Sequence, residues 1–126
     1  MLAYADAAGA IEFLCDAFGF EVVMRLDGPD GTVGHAELQL GDAGAAVELA
    51  SVWREAGMAT PAELPAVASQ IGVELDSAAD VDAHYERARA AGAIVVGEPT
   101  DQEYGLRTYR AIDPEGHRWY FGGPIT

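Results

Sequence analysis

The chain carries a single cysteine, Cys15. An intramolecular disulfide is therefore excluded, and a cysteine-based zinc site has no partners. Cys15 falls on the apolar face of an expected helix, which makes it a buried thiol rather than a nucleophile. Long apolar runs are also missing, since none approaches the roughly 18 residues of a membrane span. Nor is there the charged and apolar pairing of a signal peptide, so the cytoplasm is the expected compartment and no membrane partner is expected. Basic residues are scarce: 7 Lys+Arg stand against 21 Asp+Glu, for a net charge of −14. Nucleic acid needs a basic footprint, so that class of partner is excluded. The acidic surplus either serves solubility or lines a cleft that attracts cations.

What is present is a repeat. The 126 residues suffice for one domain with its own core. In the first half, Asp6 is placed to cap a helix whose apolar residues Ala7, Ile11, Leu14, Cys15 and Phe18 follow helical spacing. Gly19 ends it, and 20–24 reads as a strand. In the second half, Asp80 is placed to cap a helix carrying Val81, Tyr85 and Ala88, Gly92 ends it, and 93–96 reads as a strand. Each half also has a strand before its helix (2–5 and 70–76) and a hairpin after it. The first hairpin is 35–40 and 45–50 about the turn 41–44. The second is 107–112 and 117–121 about Asp113-Pro114-Glu115-Gly116. The unit is strand, helix, strand, strand, strand, used twice: an α+β fold of two βαβββ modules, about 1–50 and 70–126, in one domain. Residues 51–69, with two prolines and little periodicity, link the halves or cover a site. A ferredoxin-like sandwich is the alternative, but it usually has fewer strands than the eight counted.

Period-two alternation assigns the faces. Ala36, Leu38 and Leu40 point to the core, as do Val47 and Leu49, and Ile71, Val73 and Leu75. The last hairpin buries Tyr109, Ala111, Trp119 and Phe121. The opposite face then carries His35, Glu37, Glu48, Gln70, Glu74, Thr108, Arg110, Arg118 and Tyr120. It is either a solvated sheet surface or the lining of a cleft.

The doubled unit resembles the vicinal oxygen chelate superfamily, which includes glyoxalase I, fosfomycin-resistance enzymes, extradiol dioxygenases and bleomycin-resistance proteins. The resemblance runs through "AIEFLCDAFGFEVV", "GHAELQLGD", "DVDAHYERARAAGA" and "DPEGHRWYF". It implies paired modules curling into a curved mixed sheet around a cleft, one helix per module on the outside, commonly in a homodimer with shared or swapped modules. Metal-using members hold a divalent ion on His, Gln or Glu from the first and last strands of the modules. The matching positions here are Glu48, Gln70 and Tyr120, and the repeat puts a fourth ahead of Met1. Neutral tyrosine is a poor ligand for a hard divalent ion, so only Glu48 and Gln70 supply donors. His35 and Glu37 lie near enough on paper for a displaced site, or His35 is simply a hydrogen-bonded side chain.

The resemblance therefore implies a metal-independent binding protein, with no cofactor, that sequesters an aromatic or cationic small molecule such as an antibiotic. Glu37, Glu48 and Glu74 would neutralise the ligand, and Trp53, Tyr104 and Tyr120 would stack on or close over it. Arg110 and Arg118 either pair with the glutamates or bind a carboxylate. The alternative is a metal-dependent glyoxalase-like lyase or thiol transferase using Glu48 and Gln70. A metal-free enzyme with Glu48 or Glu74 as base at an acidic C–H is the third reading.

Overall fold

The computed structural model describes residues 1–42 and 44–126. The turn expected over 41–44 contains Ala43, which lies outside the described residues. Asp6 starts the first helix as its position predicts: its carboxylate accepts the Gly9 N–H at 3.0 Å. Helix α1 (Ala7–Phe18) ends where Gly19 takes φ 78°, the left-handed conformation that a Cβ disfavours.

The second helix begins differently from expectation. Ser77, not Asp80, caps α2 (Ala78–Ala90). Ser77 Oγ accepts the Asp80 N–H at 3.1 Å and donates to the Asp80 carboxylate at 2.9 Å. Ser77 has the extended backbone a cap requires, whereas Asp80 already lies in the first turn, where its charge faces the positive helix end.

The strands are β1 (Leu2–Tyr4), β2 (Glu21–Asp27), β3 (Val33–Gln39), β4 (Ala46–Ser51), β5 (Ile71–Glu74), β6 (Ile94–Asp101), β7 (Leu106–Ile112) and β8 (Arg118–Pro124). They form two four-stranded sheets, ordered β1-β4-β3-β2 and β5-β8-β7-β6. β1 runs parallel to β4 and β5 to β8, while the other neighbours are antiparallel. The architecture is thus α+β, with two mixed sheets from two βαβββ modules. β6 is longer than expected and runs through Pro99. A proline is tolerated there because β6 is an edge strand whose register shifts on both sides of Gly97.

The modules share a core. Phe18, at the end of α1, packs on Trp119 and Phe121 of β8, with ring centroids 5.4 and 4.8 Å away. Leu38, Leu49, Tyr109, Trp119 and Phe121 are buried, as the alternation requires, and Leu14 and Val81, as helical spacing requires. Leu40, Val47, Ile71 and Leu75 are only partly buried against this core. His84 of α2 is wedged between the modules. Its Nε2–H donates to the Phe18 carbonyl at 2.7 Å, an atom that can only accept, so Nδ1 receives the Tyr109 hydroxyl at 2.5 Å. Burial lowers the His84 pKa and raises that of Tyr109. Cys15 is half-buried rather than fully enclosed, and burial, followed by the Asp16 charge, pushes its thiol up, away from thiolate reactivity.

The turn between β7 and β8 acts as a clamp. Asp113 is buried and accepts four hydrogen bonds: Tyr4 Oη at 2.7 Å, Trp119 Nε1 at 3.1 Å, and the backbone N–H groups of Glu115 and His117 at 3.0 and 3.1 Å. The Glu115 carboxylate accepts the Ala5 and Asp6 N–H groups at 2.6 and 2.9 Å. His117 Nε2 donates to the Ala3 carbonyl at 2.9 Å. A four-residue turn of module two thus holds β1 and the start of α1 in module one.

Candidate functional site

On the open face of the first sheet, register places Glu37 of β3 directly across from Glu48 of β4. Like charges in that relation repel. His35, two residues before Glu37 on the same face, brings Nε2 to 3.2 Å from Glu37 Oε1 and 3.9 Å from Glu48 Oε1. One ligand atom from each of the three groups lies within 4.8 Å of the others. An imidazole nitrogen and two carboxylates can accommodate an organic cation, and they are also a donor set that borderline divalent ions accept.

The second sheet's open face is different. Gln70, Arg110 and Arg118 line a cavity of about 340 Å³ together with Ser69, Val67 and Val96. Arg110 does not pair with any glutamate, nor does Arg118, among the described residues. Tyr120 of β8 lies in register with Arg110 on β7 and Gly72 on β5. A Cβ at Gly72 would stand 2.5 Å from the Tyr120 ring, so the missing side chain is what lets the ring lie over β5. Tyr120 remains 40% exposed while its neighbours Trp119 and Phe121 are buried.

The remaining candidates are dispersed. Thr108 is buried and its Oγ1 accepts the Gln102 amide at 3.0 Å. Glu74 lines a separate cavity with Leu40, Asp42, Asp76 and Asp80. Trp53 and Tyr104 are 64% and 69% exposed and pair with no other ring among the described residues. Trp53 precedes a bracketed segment in which Arg54 grips Glu63 through two hydrogen bonds of 2.5 and 2.7 Å. That grip, aided by the Thr60 hydroxyl, holds the Glu63 carboxyl down to about 2.

The sequence profile of the "Glyoxalase/Bleomycin resistance protein/Dioxygenase superfamily" matches residues 1–121. The chain belongs to this superfamily. The uncharacterized protein Rv0887c of Mycobacterium tuberculosis is 38% identical over 123 residues, covering 95% of this chain and 69% of that one. The crystal structure of TioX from Micromonospora sp. ML1 superposes with a TM-score of 0.70 at 32% identity, over 98% of this chain and 94% of that one. The fosfomycin resistance protein FosX of Listeria monocytogenes, crystallised with Mn(II), gives a TM-score of 0.69 at 17% identity, over 98% of this chain and 86% of that one. At that identity it speaks to the fold alone.

Superfamily membership raises the question of a divalent metal at the inherited positions. Of these, Tyr120 is a neutral phenol and a poor donor for a hard divalent ion, which leaves the Glu48 carboxylate and the Gln70 amide. Glu48 lies beside His35, Gln70 lines the cavity of Arg118, and Tyr120 covers Gly72. Among the described residues, the histidine, cysteine and carboxylate donors that converge are His35, Glu37 and Glu48, all from the first module. Alternation assigns these three to one face, and the sequence already places His35 and Glu37 near enough for a displaced site without fixing their contact with Glu48. The signal was their spacing on paired strands, which fixes contact once the register is known.

Proposed function

We propose that this superfamily member is a small-molecule binding protein of the cytoplasm that sequesters a flat, cationic compound, such as an antibiotic, without a metal. The observation that carries this reading is the Glu37–Glu48 pair: two carboxylates opposed on an open sheet face, with the His35 imidazole beside them. A cationic aromatic ligand relieves their repulsion, and the exposed ring of Tyr120 offers a stacking surface. A homodimer that brings the open face of one copy's first sheet near the second sheet of the other would place both on one ligand. Calorimetric titration of metal-stripped protein with a planar cationic dye tests the proposal. Saturable binding is expected, weakened about tenfold by Glu48→Gln through loss of a charge-assisted contact. Stoichiometric, tightly held Ni, Zn, Mn or Fe in the purified protein would overturn the metal-free reading.

The convergence of His35, Glu37 and Glu48 favours a second reading, a metal-dependent glyoxalase-like lyase or thiol transferase. In it, His35 and Glu37 take the place assigned to Gln70. That enzyme would lose its metal-dependent turnover in Glu48→Ala.

A further inference from the structure

The chain has no lysine, so its seven arginines are all the fixed positive charge it owns, against 21 acids. Five of them are spent on contacts within the chain. Arg25 pairs with Asp27, Arg54 with Glu63, and Arg89 with Glu86. Arg107 bridges Asp82 and Asp101, and Arg87 caps the end of α1 through the Cys15 and Asp16 carbonyls. The remaining two, Arg110 and Arg118, have neither an ion pair nor a guanidinium hydrogen bond to any described residue, although both are exposed and acids outnumber them heavily.

They are also neighbours. In the antiparallel ladder Arg110 opposes Tyr120 and Ile112 opposes Arg118, so the two arginines sit diagonally on the same face of adjacent strands. Like charges in that relation are unfavourable without a counter-ion. Both line the cavity of about 340 Å³ that Ser69 and Gln70 close from the segment preceding β5. The hydroxyl and the amide add uncharged donors beside two guanidinium forks, which match planar or tetrahedral oxyanions bidentately.

We propose that this cavity is an oxyanion-binding site, taking the carboxylate or phosphate of a small molecule between Arg110 and Arg118, with Ser69 and Gln70 as supporting donors. It lies on the opposite module from the His35–Glu37–Glu48 cluster and does not depend on what that cluster binds.

The test is a two-dimensional NMR titration of the full chain with inorganic phosphate, with benzoate, and with sodium chloride at matched ionic strength. Saturable shifts are expected at Ser69, Gln70, Arg110 and Arg118 with phosphate or benzoate and not with chloride. The tighter of the two probes tells a phosphorylated ligand from a carboxylate. Arg110→Gln and Arg118→Gln should each weaken binding about tenfold or more, while Arg89→Gln, whose side chain pairs with Glu86 away from the cavity, leaves it unchanged. Should the arginine variants not fold, the map of shifts on the unmodified chain decides alone. The proposal is overturned if phosphate and benzoate act no differently from chloride. It is equally overturned if the shifts map elsewhere, or if the arginine variants bind normally and instead alter the oligomeric state seen by light scattering.

Discussion

Replacing Asp113 with alanine should cost this small domain much of its stability, because the carboxylate gathers four donors in a place water does not reach. Tyr4 and Trp119 are both fully buried, and each points its polar hydrogen at Asp113. With the carboxylate gone, the Tyr4 hydroxyl and the Trp119 indole N–H are stranded. An unsatisfied buried donor costs about 1–3 kcal/mol. The N–H groups of Glu115 and His117 belong to a half-buried turn and recover part of their loss from water. The total is about 3–6 kcal/mol, against the roughly 5–15 kcal/mol that keeps a typical domain folded. At about 4 °C per kcal/mol for a chain of this size, Tm should fall by about 12 °C or more. Urea denaturation followed by Trp fluorescence measures the free energy directly. A double-mutant cycle then isolates the clamp. Tyr4→Phe should cost about 1 kcal/mol in the unmodified chain but recover about 1 kcal/mol or more in Asp113→Ala, where it removes the stranded hydroxyl. A loss below about 1 kcal/mol for Asp113→Ala, or an equal Tyr4→Phe cost in both backgrounds, would refute the idea that this turn holds β1.

Two further outcomes follow from the packing. His84 is held neutral by burial, with the Arg87 charge acting in the same direction, against the Phe18 carbonyl. The unfolded chain therefore takes up a proton near pH 6.5 that the folded chain resists. Stability should be complete above about pH 6.5 and decline as pH falls below it. Urea midpoints measured between neutral pH and the onset of carboxylate titration check this, and His84→Gln should flatten the profile. Gly72→Ala should re-aim the Tyr120 ring with little change in Tm, since the close atoms are the far end of a side chain and the backbone at Gly72 is not strained. Loss of dye binding without loss of stability would place Tyr120 against the ligand, whereas unchanged binding would remove it from the site.

Most of the fold was legible because two periodicities are strong. Alternation buried Trp119 and Phe121 and turned Tyr120 outward, and helical spacing with Asp6 and Gly19 marked α1. The start of α2 misled because Ser77 and Asp80 are both good caps three residues apart, and only the backbone chooses between them. Asp113 reads as an ordinary turn residue. Nothing local says that Tyr4, 109 positions earlier, will donate to it. The site was legible by face and illegible by neighbourhood. Alternation put Glu37, Glu48 and Glu74 on outward faces, but Glu74 lies at another end of another sheet, among Asp42, Asp76 and Asp80.

The register of the two sheets makes the repeat informative in a way composition cannot. In the first module the cross-strand pair on the open face is Glu37–Glu48, with His35 two residues before Glu37. In the second module the corresponding pair is Arg110–Tyr120, with Thr108 two residues before Arg110. The same three places on one backbone thus hold two carboxylates and an imidazole in one copy, and a guanidinium, a phenol and a hydroxyl in the other. A metal centre shared by the modules needs donors on both, and in the second the place opposite Arg110 holds Tyr120, with Arg118 diagonal to Arg110. Positive charge at that position repels a metal ion and attracts an anion. The two open faces therefore carry charge of opposite sign. That contrast supports the proposed reading, in which a ligand is held by its charges and its flat surface.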